Sequence, residues 1–358
     1  SFGKDSGFQP RRVHVVGAGV MGGDIAIECA LRGMIVTLQD QSVERIAPAI
    51  ARAARRFERK LRGKPREQVF ALDRLIADPS GHGAAQADVI IEAIFENLEA
   101  KQALLADLER RARPDAVLAS NTSSLRIADI AAVLQDPSRL VGIHFFNPVA
   151  VMPLVEVVRG PASGEATLAR AAAFVRRLDK LPLPVRDAPG FLVNAVLGPY
   201  MYEALRCVEE GIPPATIDGA LTAFGMPMGP IELIDTVGLD IAVAAGRALA
   251  GADAVLPRAL AERVAMGHLG KKTGQGFYAW PQGRIQRPPA GRPPAGLAER
   301  IVAPLLAAAR DCVARGVVAD EDLADAGLIF GTGFAPFTGG PLHYTRAAGG
   351  SLKESSHV

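Results

Sequence analysis

Val13-His14-Val15-Val16-Gly17-Ala18-Gly19-Val20-Met21-Gly22-Gly23 joins an apolar run to glycines spaced G-x-G-x-x-G, and an alanine-rich helical pattern follows from Asp24 until Gly33 interrupts it. This order predicts a strand, a tight turn and a helix start. Gly17 permits the turn, Gly19 lets backbone approach a pyrophosphate with no Cβ between them, and Gly22 lets the helix lie close to the strand. The first helical N–H groups, those of Val20 and Met21 included, offer the positive end of the helix dipole to an anion. A second apolar run, Met34-Ile35-Val36-Thr37-Leu38, leads to Asp40, roughly 20 residues beyond the glycines, where the dinucleotide fingerprint places its acid. A carboxylate there accepts the ribose hydroxyls and repels a 2′-phosphate, so the expected cofactor is NAD and not NADP.

The 358 residues are 49% hydrophobic and 22% charged, which is apolar material enough for two or three packed domains. Lys and Arg number 40 against 38 acids, and this near-balance argues against nucleic acid as a partner. No apolar stretch is long enough for an integral membrane segment, and Ser1-Phe2-Gly3-Lys4-Asp5 is neither a signal nor a transit peptide. Cys29, Cys207 and Cys312 lie far apart in helical patterns and read as buried thiols of a reducing compartment, the bacterial-type cytoplasm. No His, Cys and carboxylate cluster has metal-ligand spacing, so no metal is expected.

Short apolar runs recur at residues 87–92, 116–120, 140–143 and 154–158, with helical patterns at 98–111, 127–134 and 165–178. Such alternation predicts an α/β fold, a doubly wound parallel sheet, over residues 11–188 after a linker at residues 1–10. A last short strand and a break are expected around Val185-Arg186-Asp187-Ala188-Pro189-Gly190-Phe191. Residues 189–285 then turn helical, and residues 286–296 form a stiff Pro-rich linker. The remainder, residues 297–358, repeats the helical domain. PYMYEALRCVEEGI at residues 199–212 aligns with PLLAAARDCVARGV at residues 304–317, matching Cys207 to Cys312 and Gly211 to Gly316. The Gly/Pro turn at residues 224–230 has a longer counterpart at residues 330–341. Two all-helical, mutually similar C-terminal domains predict a pseudo-dimer within one chain.

Oxidising an alcohol removes a hydride and a hydroxyl proton together, so a nicotinamide domain that does chemistry needs a base. Of six histidines, His14 falls inside the first strand, His82 in a Gly-rich loop, and His268, His343 and His357 in or after the helical regions. His144 follows Leu140-Val141-Gly142-Ile143 at the carboxyl end of a strand, where open parallel sheets present their ligands. Imidazole titrates near neutral pH and can serve as base and acid in turn. Glu156, in Val155-Glu156-Val157-Val158, needs a cationic partner if buried, and His144 would serve; otherwise it faces solvent from an edge strand. Ser120-Asn121-Thr122-Ser123-Ser124 offers hydroxyl and amide donors at another strand end, with Ser124 also suited to cap the helix from Ile127. Asn194 is a polar residue in an apolar helix start at the domain junction. Residues 43–62 are heavily basic. Arg52, Arg55, Arg56 and Arg59 there form either a solvated helix face or a cationic arm for a phosphate-bearing ligand.

Gly17-Ala18-Gly19-Val20-Met21-Gly22, Glu92-Ala93-Ile94-Phe95-Glu96-Asn97, Ser120-Asn121-Thr122-Ser123-Ser124, His144-Phe145-Phe146-Asn147-Pro148, Glu156 and Gly190-Phe191-Leu192-Val193-Asn194 resemble the L-3-hydroxyacyl-CoA dehydrogenase family in order and spacing. Lys271-Lys272-Thr273-Gly274-Gln275-Gly276-Phe277-Tyr278 is similar to that family's closing signature. The resemblance implies NAD-dependent oxidation of (S)-3-hydroxyacyl-CoA to 3-oxoacyl-CoA in fatty-acid β-oxidation. It makes His144 the base and acid, Glu156 its partner, and Ser123 and Asn194 the residues on the substrate oxygen. It further implies NAD contacts from Asp40, Glu96, Lys101, Ser123, Asn147 and Lys272, and CoA contacts from the basic segment. Residues 304–341 are similar to the second C-terminal domain of multifunctional β-oxidation α-chains. That likeness implies an upstream enoyl-CoA hydratase half, absent from a chain whose first residue is not Met, and a thiolase partner. Glu299 stands where the repeat aligns Asn194, so the second helical unit is expected to be structural. The alternative readings are a dehydrogenase of a non-CoA 3-hydroxy acid and a catalytically silent NAD-binding or structural protein of the same fold.

Overall fold

The computed structural model describes Phe2 and residues 7–251 and 255–354. His357, much of the N-terminal linker and the last residues of the second helical domain lie outside them. The chain divides into two units, Ser1–Ala188 and Pro189–Val358.

The first unit alternates strand and helix: β1 (Arg12–Val16), α1 (Val20–Leu31), β2 (Ile35–Gln39), α2 (Val43–Lys60), α3 (Pro65–Asp73), β3 (Leu75–Ala77), β4 (Val89–Glu92), α4 (Leu98–Arg111), β5 (Val117–Ser120), α5 (Ile127–Ala131), β6 (Leu140–Phe145), β7 (Leu154–Arg159), α6 (Glu165–Arg177) and β8 (Leu181–Arg186). They form one sheet in the order β3-β2-β1-β4-β5-β6-β7-β8. The strand order reverses between β1 and β4, which opens a crevice at their carboxyl ends. Every residue of β4, β5 and β6 is buried, as expected of a sheet covered on both faces. Val13, Val15, Val89, Ile91, Val141 and Ile143 share a core with residues of α1, α2 and α6, leaving Ile90, Leu118 and Leu140, also buried, for the other face.

The sheet is mostly parallel, with one departure from the expected pattern. β7 runs antiparallel to β6. Only residues 146–153 join them, enough for a hairpin reversal but too few for a parallel crossover. β7, α6 and β8 then make a parallel unit of their own. β8 starts earlier than the Val185 expected, because Pro182 and Pro184 do not interrupt it. Leu181 N–H donates to the Pro153 carbonyl at 2.8 Å, so by alternation both proline nitrogens face the open edge of the sheet, where no donor is required. β3 escaped the sequence pattern because it has three residues, two of them exposed.

Gly17 has φ +105, and a Cβ on it would overlap the Ala93 carbonyl; one on Gly22 would overlap the Gly17 carbonyl. A Cβ on Gly19 would meet nothing within 4 Å. Two of the three glycines are therefore required by the fold itself, and the third leaves open space over the turn.

The second unit comprises α7 (Val193–Glu209), α8 (Pro214–Phe224), α9 (Pro230–Val237), α10 (Leu239–Ala250), α11 (Arg258–Ala265), α12 (Leu297–Ala314), α13 (Glu321–Thr332) and α14 (Pro341–Glu354). α7 and α12, which carry the aligned sequences, pack against each other. Val196, Tyr200 and Cys207 are buried from α7, and Ile301, Leu305 and Cys312 from α12, on the three- and four-residue spacing of a helical stripe. The next helices repeat a device that the sequence pattern did not reveal. The Asp218 carboxylate of α8 accepts the N–H groups of Ile231 and Glu232 at 2.9 and 3.0 Å, capping α9. The Asp325 carboxylate of α13 accepts those of Leu342 and His343 at 2.7 and 2.9 Å, capping α14. Gly229 and Gly340 lie so close to these aspartates that a Cβ on either would overlap the acid. The Pro-rich stretch lies along the first set, with Arg287 paired to Glu232 and the Gly291 N–H donated to Thr216 Oγ1 at 3.0 Å.

Replacing Asp325 by Ala strands two helix-end donors beside a buried carboxylate site and is expected to lower stability by about 1–3 kcal/mol, with a matching loss for Asp218→Ala. Urea unfolding midpoints measure it; an unchanged midpoint for either variant would remove the duplicated cap from the account.

Candidate active site

β6 and β7 pair with His144 opposite Glu156. Their neighbours Ile143, Phe145, Val155 and Val157 belong to the core shared with α1, α2 and α6, so both polar side chains leave the opposite face. His144 Nδ1 and Glu156 Oε2 are 2.8 Å apart, with the residues 5% and 0% exposed. An ionised carboxylate in such a strand is costly unless it is answered by a donor, and here the imidazole is that donor. Donation from Nδ1 makes Nε2 the basic nitrogen of the ring. Phe146 packs edge-on against the imidazole at 4.5 Å between centroids. Asn121 Oδ1 accepts the Phe145 N–H at 3.0 Å, tying the loop after β5 to the end of β6.

A second buried charge group stands at the ends of β4 and β5. Glu92, with no exposure, accepts from Ser120 Oγ at 2.6 Å, Ile94 N–H at 2.8 Å and Lys101 Nζ at 2.6 Å. Lys101 also reaches Glu96 Oε2 and the Ile94 carbonyl, each at 3.3 Å. These three acceptors match the three donors of an ammonium. Glu96 Oε1 gathers Thr122 Oγ1 at 2.6 Å, Ser124 Oγ at 2.8 Å, and the Ser123 and Ser124 N–H groups at 3.0 Å each. Burial alone would raise the Glu96 pKa. The Lys101 charge and these hydrogen bonds outweigh it and hold the carboxyl below the usual glutamate range. Lys101, expected among the cofactor contacts, is 1% exposed and is paired with both Glu92 and Glu96. Ser124 does not cap α5 as expected. Asp187 does, accepting the Ile127 and Ala128 N–H groups at 3.0 and 2.9 Å.

At the glycine turn, Asp40 Oδ2 accepts the Ala18 N–H at 2.8 Å and Oδ1 the Gln41 N–H at 2.7 Å, which aims the carboxylate at the turn. No side chain caps α1, Val20 is exposed and Met21 half-buried. Open N–H groups, the space at Gly19 and an oriented acid fit a pyrophosphate and a ribose. The basic helix α2 divides its arginines. Ile46, Ala49, Ala53 and Phe57 bury one stripe, and on its flank Arg52 donates to the Gly19 carbonyl at 2.9 Å while Arg56 pairs with Glu28 of α1 at 3.3 Å. Arg55 and Arg59 are exposed.

Asn147 is exposed in the loop after β6. Asn194, in the first turn of α7, and Lys272 belong to the second unit, where both Asp240 oxygens hold the Lys272 ammonium at 2.5 and 2.6 Å. Glu299 is in the first turn of α12. Glu92, which gathers Ser120 and Lys101, and Asp187, which caps α5, were not singled out from sequence. For Glu92 the signal was present in Val89-Ile90-Ile91-Glu92, an acid ending an apolar run.

A doubly wound sheet with a fingerprint glycine turn, an acid after β2 and a histidine paired to a buried carboxylate is an arrangement suited to an NAD-binding oxidoreductase. Residues 12–188 match the NAD-binding domain of 3-hydroxyacyl-CoA dehydrogenase and residues 190–280 match its C-terminal domain. The chain belongs to the 3-hydroxyacyl-CoA dehydrogenase family. It is 35% identical, over 95% of its length, to a fatty acid oxidation complex subunit alpha from Ectopseudomonas oleovorans, of which it covers 51%. It thus spans about half the length of the curated relatives it matches. Among solved structures, a 3-hydroxybutyryl-CoA dehydrogenase from Escherichia coli K12 superimposes with a TM-score of 0.86 at 29% identity, covering 95% of this chain and 92% of that one. The (S)-3-hydroxybutyryl-CoA dehydrogenase PaaH1 from Ralstonia eutropha gives 0.71 at 35% identity, covering 76% of this chain and 100% of that one. Among the described residues no helix is long and apolar enough to cross a membrane, and no group of side chains could hold a metal ion.

Because the folded chain depresses the Glu96 pKa, its carboxylate adds stability above the ordinary glutamate range and loses it as pH falls through the depressed value. Glu96→Gln is expected to lower the thermal midpoint near pH 7 and to approach the parent near pH 3. Equal midpoints at neutral pH would contradict this.

Proposed function

We propose that the chain oxidises (S)-3-hydroxyacyl-CoA to 3-oxoacyl-CoA with NAD, and the observation that carries the reading is the buried His144–Glu156 pair. NAD, when bound, would supply the acceptor for the hydride that leaves C3 of the substrate. His144 Nε2 takes the hydroxyl proton in the same event, and in the reverse direction the imidazolium returns it to the oxygen. Glu156 fixes the ring through Nδ1 and favours the charged imidazolium. Ser123 and Asn194 are the proposed ligands of the substrate oxygen. Gly17, Gly19, Val20, Met21 and Gly22 with Asp40 are the proposed cradle of the dinucleotide, joined by Glu96, Asn147 and Lys272, with Lys101 acting through Glu96.

Within the basic helix, the exposure of Arg55 and Arg59 supports them as the arm for the CoA phosphates, while Arg52 and Arg56 serve α1. The diversion of those two arginines is also the observation that favours the second reading, a 3-hydroxy acid without CoA. The proposed organisation is an NAD domain at residues 11–188, a helical domain at residues 189–285, a linker at residues 286–296 and a structural second helical domain from residue 297. The name of the curated relatives supports a place in a fatty acid oxidation complex; the proposed enoyl-CoA hydratase half upstream and thiolase partner rest on the resemblance of residues 304–341 to multifunctional β-oxidation α-chains. Three buried thiols support a cytoplasmic setting.

NADH consumption with acetoacetyl-CoA, and little with free acetoacetate, is the expected result. The reverse preference would select the non-CoA reading, and no consumption with either would leave a silent protein. His144→Gln is expected to lower turnover about 10²–10⁴-fold with little change in NAD affinity; unaltered turnover would take His144 out of the mechanism. Asp40→Ala is expected to weaken NAD and relax its preference over NADP, checked by titrating both cofactors; unchanged NAD affinity would refute the cofactor assignment.

A further inference from the structure

We propose that Lys180 is a positioning residue for the catalytic hairpin: its ammonium holds closed the loop that joins the His144 strand to the Glu156 strand. The inference rests on the dehydrogenase reading for its consequence, though not for its geometry.

Lys180 precedes β8 and is 7% exposed. Its Nζ donates to the carbonyls of Val149 and Met152 at 2.5 and 2.7 Å. Both acceptors belong to residues 146–153, the connection between β6 and β7. Within that loop the Val151 and Met152 N–H groups converge on the Pro148 carbonyl at 2.9 and 3.0 Å, making a tight turn. The next residue of the lysine's own strand, Leu181, donates its N–H to Pro153 at 2.8 Å. One short segment therefore grips the loop at three carbonyls.

The charges facing the ammonium are Glu28 of α1, Arg32 just after it and Arg56 of α2. Burial lowers the lysine pKa, and of these three neighbours only Glu28 opposes that. A cation in such a position is disfavoured by desolvation, and an apolar side chain would pack beside these strands at less cost. What an apolar side chain would not do is satisfy two converging carbonyls. The loop so held carries Phe146, whose ring abuts the His144 imidazole, and the exposed Asn147. A loop that opened would release the edge contact on the imidazole and let the two strand ends drift, although the ladder between β6 and β7 remained.

The test compares Lys180→Met, which keeps the length and removes the donors, with Lys180→Gln, which keeps donors. Three quantities are read well below the melting temperature: turnover of acetoacetyl-CoA, NADH affinity by fluorescence, and amide exchange at Val151 and Met152. Lys180→Met is expected to speed exchange at both amides and to lower turnover about 10–100-fold, the scale of a misplaced catalytic group. Lys180→Gln is expected to recover part of each. A lower melting temperature with turnover, affinity and exchange all at parental values would overturn the proposal. Failure of both variants to fold would overturn it too, since the lysine would then serve the core as a whole. If the parent itself reduces no 3-oxoacyl-CoA, the dehydrogenase reading falls, yet the exchange rates still decide whether Lys180 closes the loop.

Discussion

A carboxylate with no exposure to solvent, set between Val155 and Val157, is the constraint from which the crevice is built. Its stabilising partner must be a donor on the same face of the sheet and on an adjacent strand. The antiparallel hairpin supplies that directly: residues 142, 143, 144 and 145 face 158, 157, 156 and 155, so the imidazole and the acid are cross-strand neighbours. A slip of one residue would turn Glu156 into the apolar core beside α1 and α6. The pairing thus works in two directions. It makes burial of the acid tolerable, and it makes any other register of β6 and β7 expensive.

The same reasoning applies one strand further in. β4 ends in Glu92 and β5 in Ser120, residues paired across the ladder, and their side chains meet each other and Lys101. Glu96, fixed by that cluster, then dictates the path of residues 122–124 through five hydrogen bonds. Ser123 is therefore positioned by backbone and carboxylate together. The polar residues at the strand ends support one another, the exposed Ser123 being held by Glu96, which is in turn paired with the buried Lys101.

How much of this could be read without coordinates depended on range. The glycine turn, Asp40 and the alternation of strand with helix are local patterns, and the structure follows them. The reversal at β7 was legible only in the shortness of residues 146–153, a cue overshadowed by the otherwise parallel pattern. Lys101 and Arg52 show the limit in another way. Both are long cations in basic or amphipathic helices, and nothing in their spacing distinguishes a side chain that reaches outward for a ligand from one that folds back onto a carboxylate or a carbonyl. Asp187 caps a helix sixty residues earlier in the chain, a distance at which no sequence window connects donor to acceptor.

The helical repeat shows which features the packing of this unit requires. Both copies keep the buried stripe, the capping aspartate and the glycine pressed against it; the position aligned with Asn194 holds Glu299 in the second. The family match ends at residue 280, yet the apolar stripe of α7 is covered by α12, which begins at Leu297. A chain that stopped at the family boundary would lack the helix that packs most extensively against α7 and would need another surface in its place. The surface best matched to α7 is a helix like α7 itself, and α12 resembles it in sequence and in its internal proline. The second helical set thus meets, within a single chain, the packing requirement that an isologous contact between two copies would meet, and this accounts for its keeping the packing residues without the polar one.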